Sequence, residues 1–176
     1  MDKNIVIIGS NGAIGNAFVE HYLKDSSVSN IFAFSRNKTD STHNKLTNLY
    51  IDIELEQSVA AAAESINGHK IDIVITATGI LHSDLIKPEK SIKDINHESF
   101  MKIFSINAVG PALIGRYFIP LLRKDAKSVI AFLSARVGSI SDNKLGGWYS
   151  YRASKSALNQ IVKNFSIELK RTNPKA

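Results

Sequence analysis

The fold is decided at the start of the chain, where residues 4–15 read NIVIIGSNGAIG. A run of branched apolar residues predicts a short buried strand. Gly9, Gly12 and Gly15 follow at intervals of three, and residues 13–24 have the apolar spacing of a helix. A strand, a glycine-rich turn and a helix in this order predict the opening unit of an α/β fold.

Three glycines at this place are what a dinucleotide site requires. One permits the tight turn, a second lets the backbone approach a pyrophosphate, and a third lets the helix pack closely on the strand. The helix N-terminus then offers free N–H groups and a partial positive charge to the phosphates. The alternative, a tight turn whose glycines serve packing only, fits this spacing less well. The residues expected to bind the nucleotide here are Gly9, Ser10, Asn11, Gly12, Ile14 and Gly15.

The rest of the chain alternates short apolar runs with helical patterns. Near-continuous apolar strands imply a sheet covered on both faces, and strands separated by helices imply right-handed crossovers. We therefore predict a single domain over residues 1–176, a doubly wound parallel sheet in three layers, α/β/α. The predicted strands are 4–8, 31–35, 49–53, 71–77 and 128–133, and the predicted helices are 13–24, 56–66, 96–122, with a bend at Gly110-Pro111, and 151–170.

Composition narrows the function classes. The chain of 176 residues is 44% hydrophobic and contains no cysteine, which excludes disulfides, thiolate catalysis and sulfur-ligated zinc. Its five histidines form no pair at helical ligand spacing, so we expect no metal site. The net charge of +6 is spread loosely, without the dense basic runs and aromatics of a nucleic-acid surface. No apolar stretch reaches the roughly 20 residues that span a bilayer. We expect a cytoplasmic protein without nucleic-acid or membrane partners.

The end of the second strand bears on the choice of cofactor. A carboxylate there would bind the ribose 2′-hydroxyl of NAD, whereas an arginine can pair with the 2′-phosphate of NADP. Residues 34–38 read FSRNK, with Arg36 in that place and no acid before Asp40. We therefore favour NADP (NADPH) over NAD. The alternative is that Arg36 is an ordinary surface residue.

A tyrosine and a lysine lie one helical turn apart in the last predicted helix. Tyr151 and Lys155 are four residues apart, so their side chains share one face. An ammonium beside a phenol favours the phenolate and lowers the pKa of the tyrosine from about 10. The pair is then suited to donate a proton to a carbonyl oxygen and to accept one in the reverse reaction. Alone, such a pair commonly means a surface tyrosine beside a lysine stem; downstream of a nucleotide loop it predicts a catalytic pair.

Over essentially its whole length the chain resembles the short-chain dehydrogenase/reductase family, in its carbonyl-reductase-like form. The likeness rests on the order and spacing of several segments together. These are the 9–15 loop, Asp52-Ile53, the TATG stretch at 76–79, Asn107-Ala108, Leu133-Ser134, and Tyr151 with Lys155. The resemblance implies a Rossmann fold, a bound nicotinamide cofactor, and the oxidation or reduction of a small carbonyl or alcohol. It also implies a homodimer or homotetramer formed through the helices at 96–122 and 151–170.

The resemblance also implies roles for single residues. Tyr151 would be the general acid/base, and Lys155 would bind the nicotinamide ribose and lower the tyrosine pKa. Asn107 would position a water in a proton relay. Asp52 would bind the adenine amine, with Ile53 beside it. The ribose and diphosphate would lie against Ala77, Thr78 and Gly79.

The chain departs from the family pattern in three places. Its glycine turn reads Gly-x-x-Gly-x-x-Gly, with Ile8 and Ala13 where threonine and glycine are usual. The second serine after the fifth strand, which polarises the substrate carbonyl, is replaced by Ala135, so we expect Ser134, or else Ser139, to supply the hydroxyl. We expect residues 1–176, which end at Lys175 and Ala176, to lack the C-terminal strands and the substrate loop that the resemblance implies.

The sequence thus predicts an NADP-dependent oxidoreductase that moves hydride between nicotinamide and a small carbonyl or alcohol, with Tyr151 as general acid/base. The alternative is a non-catalytic NADP-binding sensor or interaction module of the same fold. Ala135 favours that alternative, and the set of Tyr151, Lys155 and Asn107 argues against it. The identity of the substrate is not encoded in these motifs, because a fold hosts many functions.

Overall fold

A five-stranded parallel sheet forms the centre of the computed structural model, which describes residues 2–37 and 42–176. The spatial order is β3-β2-β1-β4-β5, so the direction in which strands are added reverses between β1 and β4. A ligand crevice is expected at the carboxyl ends of the strands beside this reversal. The doubly wound sheet predicted from the sequence is confirmed. The strands are β1 (Lys3–Ile8), β2 (Val28–Ser35), β3 (Leu46–Tyr50), β4 (Ile73–Thr76) and β5 (Val129–Phe132).

Helices cover both faces of this sheet. On one face lies α1 (Ala13–Leu23), and on the other lie α2 (Glu56–Glu64), α4 (Gly110–Phe118) and α5 (Tyr149–Thr172). Side chains of β1 therefore alternate between two cores, since successive residues of a strand point to opposite faces. Across the described part of the chain, every helix is too short or too polar to span a bilayer.

The two cores explain why β1 is apolar at every position from Ile5 to Ile8. Ile5 and Ile7 pack with Val19 of α1, whereas Val6 and Ile8 pack in the cluster beneath the opposite helices. These four strand residues have no exposed surface. Burying each side chain fully contributes on the order of 1.5–3 kcal/mol, which fixes the strand between the two layers.

The single long helix predicted at 96–122 is two helices joined by a wider turn. α3 (His97–Phe104) runs into a π-helical turn (Ser105–Val109), and α4 begins directly afterwards at Gly110. The irregular segment thus ends where a bend was predicted. Pro111, which has no N–H to donate, is the second residue of α4 and directly follows the irregular segment. Asn107 lies inside the π-helical turn, a feature often found at functional sites.

β3 begins and ends three residues earlier than predicted. Its pairing with β2 runs from Ile31 with Leu46 to Ser35 with Tyr50. The error arose because Ile51 and Ile53 are buried although they follow the strand, so their apolar character reports packing and not strand pairing. As a result, residues 51–54 form a loop beyond the carboxyl end of β3.

Phe118 anchors α4 on the sheet, and its removal is expected to destabilise the fold. Phe118 has no exposed surface and packs edge-on against Phe34, with ring centroids 5.8 Å apart. Phe118→Ala should lower the free energy of unfolding by about 3–5 kcal/mol, because it loses burial and leaves a cavity. Leu85, which is 93% exposed, supplies the matched control, and Leu85→Ala should change stability by less than about 0.5 kcal/mol. Urea unfolding measures both; equal midpoints would contradict this account of the core.

Candidate active site

A crevice opens at the carboxyl edge of the sheet, beyond the ends of β1, β2, β3 and β4. Its volume is about 360 Å³. It lies beside the reversal of strand order, where a ligand is expected in an open α/β sheet. The residues that line it are Gly9, Asn11, Gly12, Ser35, Arg36, Asn37, Ile51, Asp52, Ile53, Glu54, Ala77, Thr78, Gly79, Ile80 and Ile106.

The crevice brings together most of the predicted cofactor residues, but three residues of the glycine turn, and also Lys155, do not line it. Ser10 is buried, and its hydroxyl donates to the carbonyl of Phe34 at 3.1 Å. Gly15 is buried within the turn, and Ile14 is 57% exposed on the first turn of α1. The sequence reasoning missed Ser35, Asn37, Ile51, Glu54, Ile80 and Ile106, five of which could have been found from their positions at or just after strand ends.

Two of the three glycines are required by packing. Gly9 has a φ of +87°, and a Cβ there would lie 2.8 Å from the carbonyl oxygen of Ala77. A Cβ on Gly15 would lie 2.1 Å from the carbonyl oxygen of Gly9. Gly12 is less crowded and is the N-cap of α1, where no side chain caps the first N–H groups. The turn thus forms a cradle that leaves the positive end of α1 open to an anion.

Thr78 adds a polar group to this cradle. Its hydroxyl is buried and has no hydrogen-bond partner among the described residues. Buried hydroxyls in proteins are nearly always paired, so an orphaned one in the lining of a crevice fits a polar ligand. The cradle and this hydroxyl together fit the diphosphate and ribose of a dinucleotide. Within the same described ranges, no group of three or more His, Asp or Glu side chains could hold a metal ion.

The turn after β2 is held against the glycine turn. The Asn11 amide donates to the carbonyl of Asn37 at 2.9 Å, and the Ser35 hydroxyl donates to the same oxygen. Arg36, between Ser35 and Asn37 in the sequence, is exposed and lines the crevice. Among the described residues it forms no ion pair. Asp40, the first acid after this strand, lies outside the described residues.

The loop after β3 forms the far wall of the crevice. The Asp52 carboxylate accepts the N–H of Glu54 at 3.0 Å, and the N–H of Asp52 donates to the Ser58 hydroxyl at 2.9 Å. Ile53 is 7% exposed and touches α4, since a Cβ on Gly110 would lie 3.0 Å from the Ile53 carbonyl oxygen. These contacts fix the loop, and among the described residues the second carboxylate oxygen of Asp52 accepts no hydrogen bond, so it can accept one from a ligand.

Lys155 carries a buried ammonium behind Gly79, which lines the crevice. The residue is 3% exposed, and its Nζ donates to the carbonyl of Leu133 at 2.9 Å. A Cβ on Gly79 would lie 3.2 Å from this Nζ, so the ammonium reaches the lining of the crevice. An ammonium has three N–H donors, and the described residues supply one acceptor. The remaining donors are suited to ligand hydroxyl groups.

Asn107 joins α4 to the segment after β4. Its Oδ1 accepts the N–H of Ile80 and its Nδ2 donates to the Ile80 carbonyl, both at 2.8 Å. Nδ2 also donates to the Ser154 hydroxyl at 3.1 Å. Both amide donors are therefore used by protein atoms, and the side chain clamps the main chain beside Gly79. The predicted role in a water relay stays a prediction.

Tyr151 lies on the same face of α5 as Lys155. The Lys155 Nζ is 5.8 Å from the centroid of the Tyr151 ring. The pKa of Tyr151 is raised above 10.0 by burial of its phenol, and burial lowers the pKa of Lys155. The sequence analysis expected the ammonium to lower the tyrosine pKa. In the cofactor-free protein the pKa of Tyr151 is raised instead, because desolvation of the phenol outweighs the effect of an ammonium at this distance from the ring.

Both candidate serines follow β5 close to Lys155. Ser134 is exposed and directly follows Leu133, whose carbonyl holds the Lys155 ammonium. Ser139 is half-buried, and its hydroxyl lies 3.4 Å from that of Ser141. Leu133 and Gly138, each the chain neighbour of one of these serines, both pack against Lys155.

The chain matches known proteins in sequence. A family model described as short chain dehydrogenase matches residues 3–174. The 1-hydroxy-2-glutathionyl-2-methyl-3-butene dehydrogenase of a Rhodococcus species (strain AD45) is 32% identical over 121 residues, which cover 68% of this chain and 50% of that protein. The chain spans about half the length of two curated relatives, this one and a second that is 36% identical over 80 residues.

Solved structures share the fold. The NADPH-bound carbonyl reductase from chicken fatty liver superposes with a TM-score of 0.86 at 24% identity, over 98% of this chain and 72% of that one. A short-chain dehydrogenase/reductase from Burkholderia multivorans with bound NADP gives a TM-score of 0.83 at 23% identity, over 97% and 75% of the two chains. At these identities the likeness establishes the fold of the chain.

The direction of the Tyr151 pKa predicts an alkaline titration. In the cofactor-free protein, the phenol of Tyr151 should ionise above pH 10.0, because burial disfavours the phenolate. Ultraviolet absorbance of tyrosinate, followed against pH in the wild type and in Tyr151→Phe, isolates this one of the five tyrosines. Tyr149→Phe, which removes an exposed neighbour, is the control. A difference titration at or below pH 10.0 would contradict the desolvation argument.

Proposed function

Because this chain belongs to the short-chain dehydrogenase family, we propose that it is an oxidoreductase that moves hydride between a nicotinamide dinucleotide and a small carbonyl or alcohol. The observation that carries the proposal is the buried Lys155 ammonium. It lies against Gly79 at one end of the crevice and on the same helical face as Tyr151. A desolvated cation with one carbonyl acceptor is costly unless a ligand completes its hydrogen bonds.

The lining of the crevice suits each part of such a cofactor. The glycine cradle and the Thr78 hydroxyl would hold the diphosphate, Asp52 would hold the adenine amine, and Lys155 would hold the nicotinamide ribose. When bound, the cofactor supplies or accepts the hydride, while the protein supplies position and electrostatics. Arg36 lines the same crevice beside the end of β2, where a guanidinium can pair with a 2′-phosphate. For this reason we propose NADP as the preferred cofactor.

Tyr151 would move the proton. Burial keeps its phenol protonated at neutral pH, the form that can donate to a carbonyl oxygen. As the carbonyl carbon is reduced, the phenolic O–H bond breaks and the substrate oxygen takes the proton. Lys155 beside it stabilises the phenolate that remains. Ser134 or Ser139 would orient the substrate oxygen in place of the hydroxyl that Ala135 lacks.

A second function is supported by one specific observation. Ala135 stands where a carbonyl-polarising serine is expected by family resemblance, and losing such a donor can cost on the order of 10²–10³ in rate. A nucleotide-binding sensor or interaction module would tolerate that loss. We rank it below catalysis because Lys155 and Asn107 are both buried beside Gly79, and Tyr151 lies on the same face of α5 as Lys155.

Self-association is part of the proposal. The family resemblance points to a homodimer or homotetramer through α3, α4 and α5. Met101 on α3 is 56% exposed and Ile167 on α5 is 40% exposed, so apolar side chains face outward on two of these helices. Burial of such side chains between copies would be favourable.

Tyr151→Phe tests catalysis. Removing the phenolic proton donor should lower kcat for reduction of carbonyl compounds by about 10²–10⁴-fold, the usual contribution of a general acid. NADPH absorbance over a panel of aldehydes and ketones measures the rate, and fluorescence titration measures NADPH binding, which should be unchanged. Tyr149→Phe is the matched control. Full activity in Tyr151→Phe rules out the proposed acid, and NADPH binding without turnover of any compound by the wild type favours the sensor.

Arg36→Asp tests the choice of cofactor. Loss of a charge-assisted hydrogen bond to the 2′-phosphate should weaken NADP binding by about tenfold or more. The new carboxylate should improve binding of NAD, whose ribose offers a hydroxyl. Arg171→Asp makes the same change of charge on an exposed residue at the end of α5 and should leave both affinities as they are. Equal wild-type affinity for NAD and NADP would overturn the assignment.

A further inference from the structure

Glu89 is a buried carboxylate in the segment between β4 and α3. The residue is 2% exposed, although the chain around it is polar and open to solvent. Its partners lie in α5, far along the sequence, and not in its own segment. Burying a carboxylate is costly unless hydrogen bonds compensate it, so these partners indicate what Glu89 does.

Glu89 holds the beginning of α5 through two bonds. Its main-chain carbonyl accepts the N–H of Trp148, the N-cap residue of the helix. Its side-chain Oε1 accepts the N–H of Ser150 at 3.3 Å. N–H groups in the first turn of a helix have no partner within the helix, and a negative charge there is stabilised by the helix dipole. The carboxylate therefore caps α5 from another part of the chain.

The three residues before α5 form a left-handed turn beside the Glu89 carbonyl. Gly146 and Gly147 each have a φ of +65°, and Trp148 has a φ of +50°. Trp148 is the one non-glycine residue with positive φ in the part of the chain that the structure describes. A Cβ on Gly147 would lie 3.3 Å from the Glu89 carbonyl oxygen. Left-handed backbone at a tryptophan persists where its surroundings impose it, and here the surroundings include Glu89.

Tyr151 directly follows this clamped turn. The Trp148 carbonyl accepts the N–H of Arg152 at 2.8 Å, which starts the helical ladder around Tyr151. The Trp148 ring lies edge-on to the Tyr151 ring, with centroids 6.3 Å apart. Both the backbone and the ring of Tyr151 are therefore placed by residues that Glu89 holds.

Two atoms in this cluster have no hydrogen-bond partner among the described residues. They are Oε2 of Glu89 and the hydroxyl of Ser150, both buried. An apolar side chain at position 89 would fill this space without the free-energy cost of desolvating a carboxylate. What the carboxylate adds over an apolar residue is a directed acceptor for the first turn of α5.

We propose that Glu89 is the positioning residue for Tyr151, holding the first turn of α5 so that the phenol faces the end of the crevice. This inference rests on the proposed function of Tyr151. Its structural half can be measured independently, because Trp148 is the only tryptophan of the chain and its fluorescence reports on the same turn.

The experiment compares three variants of the full chain. Glu89→Ala removes the acceptor, Glu89→Gln keeps an acceptor oxygen without the charge, and Glu168→Gln removes a charge from an exposed residue near the far end of α5. Each is measured for kcat and KM with NADPH and a carbonyl substrate of the wild type, for NADPH binding, and for Trp148 emission and acrylamide quenching. Tyr151→Phe is assayed in parallel.

Glu89→Ala should lower kcat by about 10²-fold, since a displacement of about 1 Å can cost that much. Its NADPH affinity should be unchanged, because Glu89 does not line the crevice. Trp148 emission should shift to the red and be quenched more readily. Glu89→Gln should recover most of the rate and the native emission, and Glu168→Gln should match the wild type.

Wild-type kcat in Glu89→Ala overturns the proposal, whether or not the emission changes. A loss of rate caused only by weaker NADPH binding also overturns it. Should Glu89→Ala fail to fold, Glu89→Asp shortens the reach to the Ser150 N–H by one methylene and should lower kcat in the same way; full activity in that variant overturns the proposal. If Tyr151→Phe is slow while Glu89→Ala is normal, this inference alone fails. If Tyr151→Phe is fully active, the proposed function fails and this inference fails with it.

Discussion

The buried ammonium of Lys155 is the constraint on which the site depends. Its stem packs against Gly138, where a Cβ on the glycine would lie 2.9 Å from the Lys155 Cβ. Its charge then emerges at Gly79, beside the carbonyl of Leu133. Burial removes water from the ammonium and so disfavours its charged form. For this reason the pKa of Lys155 is lowered. The arrangement depends on glycine at positions 79 and 138, where a side chain would meet Lys155. It also depends on the register of β4 and β5, after which Gly79 and Leu133 lie.

The sequence contained enough to predict the fold and most of the crevice. Residues 4–15 joined an apolar strand to three regularly spaced glycines, and both features can be recognised within one short stretch of sequence. Gly9 and Gly15 have no room for a side chain, and this steric demand is visible as residue type. Arg36, Asp52 and Gly79 could be placed because the carboxyl ends of parallel strands meet at one edge of a sheet.

What the sequence could not predict depends on contacts between distant segments. The start of β3 was misplaced because Ile51 and Ile53 are apolar for packing beyond the strand. The direction of the Tyr151 pKa was predicted wrongly because the depth of its burial is set by the tertiary structure. Glu89 gave no signal at all, since one glutamate in a polar segment has no periodicity and its partner Ser150 lies in α5.

The close approach of α4 to the loop after β3 has a mechanical consequence. Gly110 leaves 3.0 Å between the position of its missing Cβ and the Ile53 backbone, and Asn107, one turn earlier, is bonded to Ile80. The crevice wall at Ile53 and the crevice wall at Ile80 are therefore braced by the same helical segment. A methyl group at Gly110 would act as a wedge, and the strain would be felt at both of these walls at once.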